Sequence, residues 1–197
     1  MRKGLFITIY GINNIGKSTH AKRLVERLKA QGKKAVYIKY PIYDLAPTGP
    51  FLNRILRRSR GAQKIAEEEL QLWFVLNRYQ FQPMLKKMLA SGTIVVAEDY
   101  VGTGIAWGVT KGAKLKELEM MNTFLVQSDC SILMDGERSV HATEPGHLHE
   151  DNHALIEKCQ KVFRILAKKY HWKKVLVAED RDVTAARLWE YITRLKS

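Results

Sequence analysis

Short apolar runs alternate along the chain with longer stretches in which apolar residues recur every three or four positions. The short runs have strand length. They lie at residues 5–10, 35–39, 93–97, 130–135 and 174–178. The longer stretches have the spacing of amphipathic helices. They lie at residues 18–31, 51–56, 67–89, 115–125, 154–170 and 183–195. Five strands that alternate with helices predict an α/β fold with a doubly wound parallel sheet flanked by helices.

The run at 93–97 has the composition of a central parallel strand buried on both faces, because β-branched residues nearly fill it. It delivers Glu98, Asp99 and Tyr100 to its C-terminal end, and ligands of open α/β sheets bind at such ends. Pro83 lies inside the preceding helical stretch. We expect a kink there, since proline lacks the amide hydrogen and clashes with the turn before it.

Between the first strand and the first helix, the sequence GINNIGKS at 11–18 fits the phosphate-binding pattern G-x-x-x-x-G-K-[S/T]. Gly11 and Gly16 let the backbone curl around a phosphate, and the helix N-terminus favours an anion. Lys17 can reach the β- and γ-phosphates of ATP, and the Ser18 hydroxyl can hold Mg²⁺. The predicted ATP-binding residues are Gly11, Asn13, Asn14, Ile15, Gly16, Lys17, Ser18 and Thr19.

The composition narrows the class of protein to which the chain can belong. The 197 residues suit one domain, and no run reaches the roughly 18 apolar residues that a membrane span needs. The net charge of +13 suits polyanions such as nucleotides, but the basic residues are scattered and no nucleic-acid-binding motif is present. We therefore expect no membrane or nucleic-acid partner. The two cysteines, Cys130 and Cys159, form no disulfide framework, which favours a cytoplasmic protein with free thiols.

The segment at about 137–151 contains histidines, a proline and a glycine, and it predicts a short, polar, mobile lid within a single kinase domain at 1–197. Arg138 is the only arginine of this segment.

Together these features resemble the thymidylate kinase family of P-loop nucleoside monophosphate kinases, over nearly the whole chain. The most specific feature is the sequence WFVLNR at 73–78, which is similar to a family helix that carries an aromatic residue and, four positions on, an arginine. By this resemblance Phe74 stacks on a thymine ring and Arg78 hydrogen-bonds its edge. The i, i+4 spacing puts both on one helix face. A core phenylalanine and a surface arginine would have the same spacing.

The same resemblance assigns the acceptor site, where the molecule that receives the phosphoryl group would bind. The sequence KYPIY at 39–43 resembles the family loop that lines this site, which gives Tyr43 a role there. The sequence Glu98-Asp99-Tyr100 falls where the family carries Asp-Arg-Tyr, so Asp99 replaces an arginine that contacts the acceptor phosphate. The implied acceptor-binding residues are Tyr43, Phe74, Arg78, Asp99, Tyr100 and Gly104.

The resemblance implies transfer of the ATP γ-phosphoryl group to a nucleoside monophosphate, with dTMP as the favoured acceptor. Lys17, Glu98 and Arg138 are the implied catalytic residues, and Ser18 and Glu98 the implied Mg²⁺ ligands. It also suggests a homodimer through packed helices.

Two alternatives stay open. Glu98 or Asp99 could act as general base for a hydroxyl acceptor, as in a nucleoside kinase. The arginine that the family usually carries in the P-loop or the lid is not obvious here either, and the missing arginines would also fit a catalytically weak nucleotide-binding protein.

Overall fold

The computed structural model describes residues 4–57, 63–137 and 153–195. Arg138 and nearly all of the predicted lid therefore lie outside the described residues. The described part contains five strands in one sheet, with bounds close to those of the predicted apolar runs. The strands are β1 (Phe6–Tyr10), β2 (Ala35–Lys39), β3 (Ile94–Glu98), β4 (Cys130–Asp135) and β5 (Lys173–Leu176). Their order is β2-β3-β1-β4-β5, and every pairing is parallel. The predicted α/β fold is thereby confirmed.

Helices connect the strands and cover both faces of the sheet. They are α1 (Lys17–Ala30), α2 (Thr48–Leu56), α3 (Glu67–Ala90), α4 (Val101–Thr110), α5 (Leu115–Met121), α6 (His153–Lys169) and α7 (Arg181–Arg194). Helices α1 and α7 contact each other, whereas α3, α4 and α6 form a second contacting group. Right-handed crossovers in the observed strand order put these two groups on opposite faces. None of the helices in the described ranges is long and apolar enough to span a membrane.

The largest departures from the predicted bounds are at element ends. Helix α2 begins at Thr48, three residues before its apolar pattern, and α5 ends at Met121 rather than near 125. Leu125 is buried as the pattern requires, but it lies after a turn in which its amide donates to Asn122 O. Helix α3 continues through Pro83 to Ala90.

Strand β1 is the centre of the fold and sets the position of the site. Its neighbours are β3 on one side and β4 on the other, so the chain reverses its direction of winding at this strand. All five residues of β1 and all five of β3 are buried. Crevices at such reversal points, beyond the carboxyl ends of the strands, are where open α/β sheets bind ligands. The segment after β1 meets Glu98, the last residue of β3, and Asp99 at this edge.

Candidate active site

The glycine-rich segment after β1 closes around the Lys17 side chain. Lys17 Nζ donates to the carbonyl oxygens of Gly11 and Ile12, at 2.9 Å each. Gly11, Asn14 and Gly16 have φ of 145°, 63° and 94°, so three residues of this turn have positive φ. A Cβ on Gly11 would lie 2.6 Å from Met134 O, which explains glycine there. The result is a cradle of backbone at the N-terminus of α1 with a buried ammonium inside it.

Glu98, at the end of β3, is the most connected carboxylate of the site. Ser18 Oγ donates to its Oε1 at 2.9 Å, and the Tyr37 hydroxyl donates to its Oε2. The ammonium of Lys39 lies 3.3 Å from Oε1. Burial acts to raise the pKa of Glu98, but Lys17, Lys39 and the two hydroxyl donors outweigh it, so the pKa lies below its ordinary value. Glu98 is therefore a buried anion at neutral pH.

Asp99 is turned toward the glycine-rich segment. Its backbone is left-handed, with φ of 60°, and its Oδ1 accepts from Thr103 Oγ1 at 2.9 Å. The same oxygen lies 3.7 Å from Lys17 Nζ. Burial raises the pKa of Asp99, the Glu98 charge adds to this, and the attraction of Lys17 does not cancel it. Two carboxyl groups thus lie side by side with opposite pKa shifts, and Lys17 acts on both while Lys39 pairs with Glu98.

Arg78 lies at the other end of the site, on α3, and is 4% exposed. Its guanidinium donates to Tyr100 O at 3.1 Å and to Asn122 Oδ1 at 3.2 Å. A Cβ on Gly104 would lie 2.7 Å from one of its terminal nitrogens, so glycine makes room for this charge. Burial lowers the pKa of Arg78. Because the ordinary pKa of arginine is so high, the guanidinium still stays charged.

One cavity of about 1130 Å³ joins these two ends. It exceeds the ~300–1,000 Å³ of an ordinary small-ligand pocket, as a site for two substrates should. Of the residues predicted from the sequence, those lining it are Asn13, Asn14, Ile15, Gly16, Lys17, Ser18, Thr19, Tyr43, Phe74, Arg78, Glu98, Asp99 and Gly104.

Two predicted residues within the described ranges do not line the cavity. Gly11 lies behind it, where its carbonyl holds Lys17. Tyr100 is 2% exposed, and its ring packs edge-on against Phe6 with the centroids 5.0 Å apart. The Tyr100 side chain therefore belongs to the core, and this residue reaches the site through its carbonyl contact with Arg78.

Asn77 is a site residue that the sequence reasoning missed. Its amide oxygen accepts from Ile42 N at 2.7 Å, and its amide nitrogen donates to Ile42 O at 3.0 Å and Thr48 Oγ1 at 2.9 Å. It thereby fixes the loop that carries Tyr43 to the helix that carries Phe74. A polar residue on the buried face of a helix was the available signal.

A second missed group lies after β5. Val177, Ala178, Glu179 and Arg181 line the cavity, together with His20 of α1. Burial lowers the pKa of His20, which keeps the ring neutral. Their position in the sequence could have indicated them, because they follow the carboxyl end of β5, and ligands of such sheets bind at these ends.

Oxygen ligands for a divalent cation are present where the site would need them. Ser18 Oγ and Glu98 Oε1 lie 2.9 Å apart at the mouth of the cradle. Mg²⁺ prefers such hard donors, and it usually keeps several waters and binds one or two carboxylates together with substrate phosphates. Among the described residues no group of three or more His, Cys, Asp or Glu residues could hold a metal by itself. The donor set fits Mg²⁺ bound together with a nucleotide and does not fit zinc.

Comparison with known proteins agrees with this geometry. The family model "Thymidylate kinase" matches residues 9–184. Human thymidylate kinase is 26% identical over 179 residues, covering 88% of this chain and 82% of its own. A thymidylate kinase from Xanthomonas oryzae is 28% identical over 165 residues, covering 81% of this chain and 70% of its own.

Solved structures share the fold. That of thymidylate kinase from Candida albicans superimposes with a TM-score of 0.81 at 20% identity, covering all of this chain and 94% of its own. The structure of thymidylate kinase from Ehrlichia chaffeensis gives a TM-score of 0.76 at 18% identity, covering 96% of this chain and 98% of its own. The resemblance predicted from the sequence is confirmed: the chain belongs to the thymidylate kinase family, a family of ATP-using nucleotide kinases.

Proposed function

We propose that this protein transfers the γ-phosphoryl group of ATP to dTMP, forming dTDP and ADP. The observation that carries the proposal is the single cavity that joins the glycine-rich cradle to Phe74 and Arg78. One end offers backbone amides and Lys17 to the phosphates of the donor, and the other offers an aromatic ring and a guanidinium to a base. Family membership and relatives named thymidylate kinase support the choice of dTMP.

At the donor end, Lys17 leaves its own loop carbonyls and contacts the β- and γ-phosphates, where it neutralises charge as the phosphoryl group moves. Ser18 and Glu98 are the residues that would hold Mg²⁺, which would supply positive charge to the transferred group. Because Ser18 already donates to Glu98, both oxygens are positioned before substrate arrives. The remaining predicted ATP contacts, from Asn13 to Thr19, come from the same turn.

At the acceptor end, Phe74 stacks on the thymine ring and Arg78 donates to its edge. Arg78 has no carboxylate within ion-pair distance in the described part of the chain, and its Nε has no partner. A buried guanidinium without an anion is costly, so acceptor groups from a bound ligand are favourable there. Tyr43 closes the side of this pocket on a loop that Asn77 fixes.

Four further features belong to the proposal as predictions. Arg138 supplies a positive charge from the lid at 137–151, whose closure excludes water from the reacting groups. The chain acts as one kinase domain over residues 1–197 and forms a homodimer. A cytoplasmic location stays a prediction from the sequence.

A hydroxyl-directed nucleoside kinase is the second candidate. It is favoured by the adjacent carboxylates of Glu98 and Asp99, because transfer to a hydroxyl benefits from a general base, whereas transfer to an existing phosphate does not need one.

Coupled ADP release, measured with ATP and a panel of nucleosides and monophosphates, tests both candidates. We expect turnover with dTMP, little with thymidine, and loss of activity with retained fold for Lys17→Ala. Turnover with thymidine alone would establish the second candidate. Tight ATP binding without any turnover would instead identify a catalytically weak nucleotide-binding protein, and wild-type kcat for Lys17→Ala would remove the role given to the cradle.

A further inference from the structure

We propose that Lys39 binds the phosphate group of the acceptor nucleotide. This inference rests on the proposed function, because it assigns a cation to a monophosphate acceptor. Lys39 is the last residue of β2 and pairs in register with Glu98 of β3. Its side chain is 51% exposed and lines the cavity.

Lys39 lies between the donor end and the acceptor end of the cavity. Its Nζ lies 3.3 Å from Glu98 Oε1, the same oxygen that accepts from Ser18 of the glycine-rich cradle. The next residues of its chain, Tyr40 to Tyr43, form the loop at the acceptor end. The acceptor phosphate must meet the γ-phosphate near Ser18 in any in-line transfer. The Lys39 ammonium therefore lies at the junction of the cradle that would hold the donor phosphates and the loop that would line the acceptor.

The other cations of the cavity wall have different tasks. Among its described lining residues the basic ones are Lys17, Lys39, Arg57, Arg78 and Arg181. Lys17 serves the donor phosphates. The Arg78 guanidinium is buried against Tyr100 O and Asn122. Arg181 begins α7, which follows β5 at the edge of the sheet opposite β2.

That leaves Arg57 as the rival to Lys39. Arg57 lies at the C-cap of α2, and its Nε donates to Asn53 Oδ1 at 2.8 Å. In the described part of the chain it makes no ion pair with Glu98 or Asp99. Of these two cations, only Lys39 forms an ion pair with a carboxylate beside which an acceptor phosphate must lie.

Charge balance requires such a cation. Glu98 and Asp99 present two carboxylates to the space between the substrates, and a phosphate dianion placed beside them is repelled unless a positive charge compensates. Burial acts to lower the pKa of Lys39, but Glu98 and Asp99 outweigh it and raise the pKa, so the ammonium stays charged. A half-exposed lysine can turn from one anion to the next, because its stem is flexible and its charge is not directional.

The test compares Lys39→Met, Lys39→Arg, Arg57→Met and the wild-type chain by calorimetric titration with dTMP, thymidine and ATP. Lys34→Met is the matched control, since Lys34 is an exposed lysine that precedes β2, at the opposite end of the strand. We expect Lys39→Met to weaken dTMP binding about 10- to 100-fold, the loss of one charge-assisted hydrogen bond. Thymidine and ATP should change by less than about threefold, Lys39→Arg should keep most of the dTMP affinity, and Lys34→Met should match wild type.

The difference between dTMP and thymidine separates phosphate binding from a structural role. If Lys39 only neutralised Glu98, its loss would leave that carboxylate unpaired and would weaken the binding of both anionic ligands, ATP and dTMP, to a similar extent. Equal effects on ATP and dTMP would overturn the inference, as would a loss of dTMP affinity in Arg57→Met and not in Lys39→Met. A wild-type chain that turns over dTMP while Lys39→Met keeps its affinity would overturn this inference and leave the proposed function standing. Wild-type turnover of thymidine and not dTMP would overturn both.

Discussion

At the scale of single residues, the base end of the cavity depends on an aromatic ring beside a buried charge. The Arg78 guanidinium lies 6.0 Å from the Phe74 ring centroid. Phe74 itself is partly buried, next to a small apolar cluster of Leu52, Ile55 and Leu70. A ring that is half in contact with protein and half facing a cavity can stack on a planar ligand without first leaving a core.

This arrangement makes Phe74→Ala a selective change. We expect KM for dTMP to rise about 10- to 100-fold with KM for ATP nearly unchanged, because base–aromatic stacking is worth ~1–3 kcal/mol. Steady-state kinetics with each substrate varied in turn measures it. Phe124→Ala is the control, since Phe124 is 81% exposed and does not line the cavity. A rise of equal size in both KM values would show that Phe74 does not face the acceptor.

Local sequence patterns and the family resemblance predicted thirteen of the thirty residues that line the cavity, but not the directions in which their side chains point. The glycine-rich motif predicted the cradle, and the i, i+4 pair predicted a shared face for Phe74 and Arg78. No local pattern could show that Asp99 turns toward Lys17, because that depends on a left-handed backbone and a contact between distant segments. For the same reason the contact of Tyr37 with Glu98, across two strands, was not predicted.

At the scale of elements, Asp135 joins β4, β5 and α6. Its carboxylate is 2% exposed. It accepts from Arg164 Nε at 2.9 Å, from Gln160 at 3.0 Å and from the amide of Gly136 at 3.0 Å, and Lys174 Nζ lies 2.7 Å away. Burial acts to raise the pKa of Asp135, but Arg164 and Lys174 outweigh it, so the pKa lies below its ordinary value of 3.8.

Asp135→Asn should therefore lower the free energy of unfolding by about 2–3 kcal/mol at pH 7. Breaking a buried ion pair costs ~3–5 kcal/mol, and the estimate is reduced because both cations are half exposed. A lowered folded-state pKa contributes stability above the unfolded-state pKa and loses it as pH falls through the folded-state value. Urea unfolding from pH 7 to pH 2 should show the difference between the two proteins shrinking below about pH 4.

Asp182→Asn provides the comparison for this experiment. Asp182 pairs with Arg23 on the surface with its side chain 78% exposed, so its loss should cost less than about 1 kcal/mol. If Asp135→Asn cost no more than Asp182→Asn, the three elements would not be held together by this carboxylate.

Element types were more predictable than their ends and their order. Apolar runs located all five strands, and the continuous apolar sequence of β1 and β3 follows from their burial on both faces. Helix ends were less certain, since the end of α5 and the start of α2 depend on turns that bury or release a few residues. Periodicity does not encode which strands are neighbours, and the order β2-β3-β1-β4-β5 follows from pairings between distant segments.

At the scale of the whole molecule, apolar side chains remain exposed on the outer side of α3. Leu72 is 47% exposed and Leu76 is 48% exposed, and their i, i+4 spacing places them on one face of the helix. Burial of such a face against a second copy would be favourable at ~25 cal/mol per Å² of apolar surface. It is also the surface on which the predicted homodimer through packed helices would form, since the opposite face of α3 carries the site residues Phe74, Asn77 and Arg78.

The corresponding prediction is that Leu76→Glu converts a dimer to a monomer. A carboxylate buried at the centre of an apolar interface without a partner costs several kcal/mol, enough to shift the dissociation constant by more than about 100-fold. Sedimentation velocity over a range of protein concentrations measures the change. The matched variant Ile165→Glu places the same charge on α6 at a position that is 64% exposed, and it should leave the dimer intact. A wild-type chain that stays monomeric at all concentrations, or a dimer that Ile165→Glu disrupts and Leu76→Glu does not, would contradict assembly through α3.

Because Phe74 and Arg78 lie on the same helix as Leu76, a dimer of this kind would brace the acceptor end of each site from outside. Leu76→Glu should then also raise KM for dTMP.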